Sequence, residues 1–258
     1  MRFTSETITD GVSERLFTVG DVPGVLWSPA GTAAGAAAPM ASRPLVLLAH
    51  GGGQHKKAPA MQGRARRLAT ACGFAAAAID APGSGDRPRT EEDERFIAEI
   101  RGRMAAGEPV GPQIARYNAA QAERAVPEWR ATLDALQGQP GLDGPAGFWG
   151  LSMGSATGVP LAAAEPRITA AVFGLAGHET LADAAAQVTV PVEFLLQWDD
   201  ELIPRESGLA LFDALASREK SLHANPGRHA EVPMFEVESS LGFFGRHLSL
   251  AGFPGDGG

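Results

Sequence analysis

The pentapeptide Gly150-Leu151-Ser152-Met153-Gly154 constrains this chain more than any other feature. It has the form Gly-x-Ser-x-Gly. The apolar run Pro145-Ala146-Gly147-Phe148-Trp149 leads into it, and a helix-compatible stretch, residues 156–165, follows. A serine on a sharp strand-to-helix turn needs neighbours without bulk, because the two backbones pass close and the turn is strained. The helix beyond it aims its N-terminal N–H groups at the point where an oxyanion would form. The bland alternative is a glycine-softened turn whose serine caps a helix. With both flanks in place, the pattern predicts a nucleophile elbow carrying Ser152.

A serine hydroxyl is a weak nucleophile at neutral pH, so it needs a base and an acid that orients the base. In folds built around such an elbow, the chain order is serine, acid, histidine. Four histidines lie downstream. His223 falls in the strand-like run 219–224, His247 near the end of a terminal helix, and His178 just after the strand-like 168–177. His229 instead follows a turn-rich loop, Asn225-Pro226-Gly227-Arg228, and precedes the last helix. From such a loop an imidazole can swing onto the serine, so His229 is the expected base. The acid is Asp199 or Asp200, with Glu201 a distant third; they close the apolar run 191–198. Neighbouring strand residues point to opposite faces, and that rule alone does not choose between the two aspartates. Upstream, Gly51-Gly52-Gly53 ends the run 44–50 and lets backbone N–H groups turn into a cavity. It lacks the Gly-Lys-Ser/Thr ending and the Gly-x-Gly-x-x-Gly spacing of phosphate loops.

Periodicity and punctuation supply the rest. Residues 2–9 and 14–28 alternate as two or three edge strands. Buried strands are expected at 44–50, 74–80 and 191–198 and further strands at 145–149, 168–176 and 219–224, with helices near 59–72, 179–187, 205–217 and 232–248. Short apolar strands alternating with helices predict an α/β fold, a mostly parallel central sheet with helices on both faces. Residues 30–42 are low in complexity and read as a loop. Residues 91–105 open on an acidic run, as a helix N-terminus prefers, and place Phe96, Ile97, Ile100 and Met104 on one face. A second helix is expected from near Gln113, with Pro127 breaking it. Residues 87–126 therefore read as a small helical cap within one domain spanning 1–258, with Phe96, Ile97 and Ile100 binding substrate. The alternative is that these helices pack on the side of the core.

Taken together, these residues resemble the α/β-hydrolase superfamily, and within it the bacterial dienelactone-hydrolase-like serine esterases. The likeness runs from about residue 44 to the C-terminus. It is carried by His50-Gly51-Gly52-Gly53, the turn Asp80-Ala81-Pro82-Gly83-Ser84-Gly85, the elbow, the acid segment and His229. In Gln197–Pro204 the family's catalytic aspartate stands four residues before a proline, which implies Asp200; the family usually has glycine where this chain has Gln197. The resemblance also implies an oxyanion hole formed by the N–H groups of Gly52 and Met153, with Gly53 a third donor. Dienelactone hydrolases proper carry a cysteine nucleophile, so Ser152 points to ordinary esters. Haloalkane dehalogenases carry aspartate at the elbow, and the serine speaks against them.

The expected activity is a serine hydrolase that cleaves carboxylic esters of small molecules through an acyl-enzyme. No cofactor or metal is implied, since the six histidines form no His-Glu-x-x-His or similar spacing. Thioester, amide or carbon–carbon hydrolysis by the same triad is the alternative, and a non-catalytic small-molecule receptor a weaker one. A net charge of −8 disfavours nucleic acid and anionic membranes as partners. The oligomeric state is left open. The lone Cys72, expected to pack in a helix, excludes an intramolecular disulfide and suits a reducing compartment. The N-terminus has neither the basic lead nor the apolar core of a signal peptide. No run reaches the roughly 18 apolar residues of a membrane span, so a cytoplasmic location is expected. Abundant arginine and alanine are associated with GC-rich bacterial coding.

Overall fold

The computed structural model describes residues 1–31 and 42–249, so most of the low-complexity stretch at 30–42 lies outside the described residues. Three N-terminal strands, β1 (Arg2–Thr9), β2 (Val12–Val19) and β3 (Val22–Pro29), form an antiparallel meander. The alternating stretch 14–28 is divided between two of them at Gly20, whose φ of 56° makes the turn. The strands β4 (Leu45–Ala49), β5 (Ala75–Ile79), β6 (Ala146–Gly150), β7 (Ile168–Gly174), β8 (Val192–Gln197) and β9 (Lys220–Asn225) run parallel to one another. The described residues form one nine-stranded sheet in the order β1-β2-β3-β5-β4-β6-β7-β8-β9.

Strands β4, β5 and β6 are buried along their whole length, which is why they read as uninterrupted apolar runs. Their side chains still alternate between two layers. Leu45, Leu47 and Phe148 join one core layer with Trp129, Leu133 and Leu136, whereas Val46, Leu48 and Trp149 join the other with Leu68 and Phe244. The first layer lies under α3 (Gly111–Gln137), α4 (Met153–Ala164), the short α5 (Ala182–Ala185) and α6 (Arg205–Ala214). The second lies under α1 (Pro59–Ala71) and α7 (Phe235–Leu248). Parallel strands covered on both faces bring their C-terminal ends to one edge, where ligands of open α/β sheets bind.

The helical segment after β5 departs from expectation twice. Pro127 does not break the second helix; α3 runs through it. An internal proline costs about 3 kcal/mol. Ala122, Ala125, Trp129, Leu133 and Leu136 nevertheless bury one continuous stripe, and each large side chain contributes roughly 1.5–3 kcal/mol. Burial wins. In α2 (Glu91–Ala105), Thr90 and Asp93 form a reciprocal capping box, in keeping with the acidic run. Met104, however, is 58% exposed and leaves the face shared by Phe96, Ile97 and Ile100. Helix α2 rests chiefly on α3, and in its last turn Met104 faces outward while Arg103 bonds to the Pro109 carbonyl.

Candidate active site

Ser152 sits between β6 and α4 with φ 58° and ψ −120°, a conformation that costs a non-glycine residue on the order of 1–3 kcal/mol. The glycines two residues to either side are required by contact. A Cβ on Gly150 would lie 2.6 Å from the Gly154 backbone, and one on Gly154 would lie 2.7 Å from the Ala49 carbonyl oxygen. The strained turn is fastened from behind. The Ser152 N–H donates to the Gly174 carbonyl at 2.9 Å. The buried Ser155 hydroxyl accepts from the Gly174 N–H at 2.9 Å and lies 2.7 Å from the Gly150 and Gly174 carbonyl oxygens. Sequence reasoning missed Ser155; its only signal was a second small hydroxyl one turn into the helix.

The three residues expected to work together do converge. The Ser152 hydroxyl donates to His229 Nε2 at 2.9 Å, and His229 Nδ1–H donates to Asp200 Oδ2 at 2.7 Å. The Asp200 side chain is 3% exposed and that of His229 is 14% exposed. The other Asp200 oxygen accepts the N–H groups of Leu202 and Ile203 at 2.8 and 2.9 Å, which fixes the carboxylate plane. Asp199 points elsewhere; among the described residues its carboxylate accepts only the Gly227 N–H, at 3.4 Å. Glu201 holds the histidine's backbone, accepting the His229 N–H at 3.0 Å. That bond, with Arg228 helping against partial burial, keeps the Glu201 carboxyl below its ordinary range.

Gln197 also bears on the histidine. At the end of β8 and 1% exposed, it donates from Nε2 to the Glu231 carbonyl at 3.0 Å, with the Pro226 and Arg228 carbonyls at 3.4 Å. Its amide ties the loop carrying His229 to the sheet, a role glycine could not fill.

The glycine loop is anchored as well. Buried His50 accepts the Ala81 N–H at Nε2, 3.1 Å, so its Nδ1–H donates to the Gly51 carbonyl at 2.9 Å. Burial pushes its pKa down, which keeps the ring neutral. Lys56 reaches Asp80 and Asp86, each at 2.6 Å. Burial alone would lower the Lys56 pKa, but the two carboxylates outweigh it and raise it. Gly52 and Met153 lie on either side of Ser152, one on this loop and one opening α4. Among the described residues neither N–H is engaged by a protein acceptor.

Three cavities meet at Ser152 and His229. One of about 300 Å³ is lined by Phe96, Ile97, Ile100, Ile114 and Tyr117, so all three expected substrate-binding residues face it. Phe96 stacks on Tyr117 with ring centroids 3.7 Å apart. A second, about 220 Å³, runs between the start of α3 and residues 175–181. A third, about 510 Å³, lies between α1 and the start of α7.

The remaining histidines lie apart from this chain of bonds. His178 is exposed and pairs with Ser207, and His247 lies against Phe243 with the rings tilted by 54°. His223 donates from Nδ1 to Glu236, near Glu193; ligand atoms of the three lie within 4.8 Å of one another. The carboxylates there are engaged by Ser239, Ser240 and Asn225, and the group ties α7 to β8 and β9.

No protein-family model matches the chain, and no curated protein does. Solved structures are similar. A cold-adapted esterase from an Arctic intertidal metagenomic library, in a complex with PEG, is 36% identical, with a TM-score of 0.75 over 96% of this chain and 100% of that one. Acetyl xylan esterase 1 from Thermoanaerobacterium is 14% identical, with a TM-score of 0.67 over 96% of this chain and 88% of that one. An esterase from Pyrococcus furiosus is 13% identical, with a TM-score of 0.65 over 96% and 94%. At such low identity the last two speak to the fold alone.

Proposed function

We propose a mechanism from one premise: this chain belongs to the α/β-hydrolase superfamily, among its carboxylic ester hydrolases, on 36% identity with an esterase over 96% of its length. Ser152 is the nucleophile, His229 the general base and acid, and Asp200 the residue that orients the imidazole. The observation that carries this is the unbroken run of hydrogen bonds from Ser152 Oγ through His229 to Asp200, at 2.9 and 2.7 Å. With Nδ1–H committed to Asp200, Nε2 is left as the acceptor for the serine proton.

Ser152 Oγ attacks the acyl carbon while its proton moves to His229 Nε2. The carbonyl oxygen becomes an oxyanion, held by the Gly52 and Met153 N–H groups; such a donor contributes roughly 3–4 kcal/mol in the transition state. The C–O bond to the alcohol then breaks, and His229 returns the proton to the departing oxygen. Water, deprotonated by the same imidazole, attacks the acyl-enzyme and releases the acid. Residues 87–126 act as a cap, and Phe96, Ile97 and Ile100 line the cavity that receives an apolar arm of the ester. The physiological setting we infer is a bacterial cytoplasm, which suits the single, half-buried Cys72. The acidic net charge of −8 argues for small-molecule esters over nucleic acid or anionic membranes. Among the described residues no helix is long and apolar enough to cross a membrane.

The test is a series of chromogenic esters of increasing acyl length. Turnover should be highest for short acyl chains, in keeping with a cavity of about 300 Å³ beside Ser152. A purified protein that turns over none of them would overturn the reading.

A further inference from the structure

The cavity of about 510 Å³ on the α1 side of Ser152 is lined by two arginines; the one beside Phe96 is lined by a single arginine, Arg89, paired with Glu94, and the one beside α3 by Glu179, Asp200 and Glu201. Ala60, Gly63, Arg64 and Arg67 reach it from one face of α1, at the i, i+3, i+4, i+7 spacing of a helix stripe. The ionisable residues in its lining are Arg64, Arg67 and His229; no aspartate or glutamate among the described residues lines it. Arg67 is paired with Glu238. Arg64 is not paired. Among the described residues its guanidinium has neither a carboxylate within 4.0 Å nor a hydrogen-bond acceptor, and it lies over the Trp149 ring, 4.9 Å from the centroid. Trp149 stands three residues before Ser152, on the strand that ends in the elbow.

Of the arginines that line these three cavities, Arg64, Arg67 and Arg89, only Arg64 lacks a carboxylate partner among the described residues. Burial lowers the Arg64 pKa to about 10, which still leaves it charged at neutral pH. The half-buried guanidinium rests on Trp149, which holds it at the cavity wall with its N–H donors free among the described residues. The cation also faces a cavity shared with the reacting serine, and Gly63 beside it leaves open space, with no atom within 4 Å of where a Cβ would be.

We propose that this cavity binds a carboxylate on the substrate, with Arg64 as its partner, so that the enzyme acts on esters bearing a second, free carboxylate, such as half-esters of dicarboxylic acids. This rests on the assignment of Ser152 as nucleophile. The guanidinium fork matches a carboxylate in two parallel hydrogen bonds, which a neutral ester arm cannot accept as strongly. The cavity lined by Phe96 and Ile100, whose one arginine, Arg89, is paired with Glu94, takes the uncharged arm, so the two arms enter different cavities at the serine.

The experiment compares kcat/KM for monoethyl and diethyl esters of succinate, adipate and suberate in the natural protein, Arg64→Met and Arg64→Lys. The natural protein should favour the half-ester at one chain length. Arg64→Met should lower the half-ester to diester ratio by about ten- to a hundredfold, the effect of losing a hydrogen-bonded charge, and mainly through KM. Arg64→Lys should recover part of the ratio. Labelling by a neutral fluorophosphonate reports in parallel whether the serine is reactive. A ratio that Arg64→Met leaves unchanged, with labelling intact, overturns the anion site and leaves the esterase reading standing. Loss of labelling in the natural protein overturns both.

Discussion

The C-terminal edge of the sheet and the helical segment that follows β5 are held by different means. At the sheet edge, each working side chain stands on buried backbone. Ser152 is fastened to Gly174, Asp200 to two N–H groups, and the His229 loop to both Gln197 and Glu201. In α2 the one buried side chain is polar: Asp93, which accepts from Thr90, Tyr117 and Gln121. Phe96, Ile97 and Ile100 are only half-buried and face a cavity. Rigid support suits groups that must hold tenths of an ångström during bond breaking. A lightly held helix suits a wall that selects substrates, since little stability is lost when its residues change.

Mutations separate the two regions. Ser152→Ala should lower ester turnover about a millionfold, the loss seen when a serine-protease nucleophile is removed. The melting temperature should hardly move, because the strained turn is fastened by backbone and by Ser155. Asp200→Asn should cost roughly four orders of magnitude, as the equivalent change does in that template, while Asp199→Asn stays within a few-fold. Steady-state kinetics on one chromogenic ester decides both; a larger effect at Asp199 would reverse the assignment. Gln197→Leu keeps the bulk but frees the His229 loop, and kcat should fall up to about a hundredfold, the scale of an ångström misplacement. Its stability should fall by about 1–3 kcal/mol at most, because the carbonyls that Nε2 bonded lose a donor while Oε1, buried without a partner, is no loss.

The helical segment gives the smaller and more selective effects. Phe96→Ala should shift the preference among acyl lengths with little change in melting temperature. Trp129→Ala, in the buried half of α3, should cost about 3–5 kcal/mol of stability. A destabilised Phe96→Ala variant with unaltered preference would make α2 a packing element. The smallest effect concerns acid. Arg167 holds the Glu165 carboxyl down to about 2, against an ordinary value near 4.5. The unfolded chain therefore takes up that proton first as pH falls. The pair's contribution is whole above about pH 4.5 and fades towards pH 2. Thermal melts across that window should fall less steeply in Arg167→Gln than in the natural protein.

These contrasts also explain what could be read in advance. Strands such as LVLLA and AAAAI declared themselves because they are buried on both faces and bounded by turn residues. The elbow was legible because its glycines answer to contacts nothing larger survives. Asp199 and Asp200 were not separable from periodicity, because the choice turns on how the chain leaves β8. Gln197 looked like a departure from a pattern; its value depends on a loop some thirty residues later, which no local window contains. Pro127 misled for the same reason. Its local cost is real, but the stripe that outweighs it is set by packing between distant elements.

Covalent labelling tests directly whether Ser152 is the nucleophile. Treatment with a fluorophosphonate, followed by proteolysis and peptide mass mapping, locates the activated nucleophile without presuming any substrate. A single phosphonate adduct is expected, on Ser152, formed in the native protein and absent from the denatured one. An adduct on another residue, or none in native protein, would contradict it.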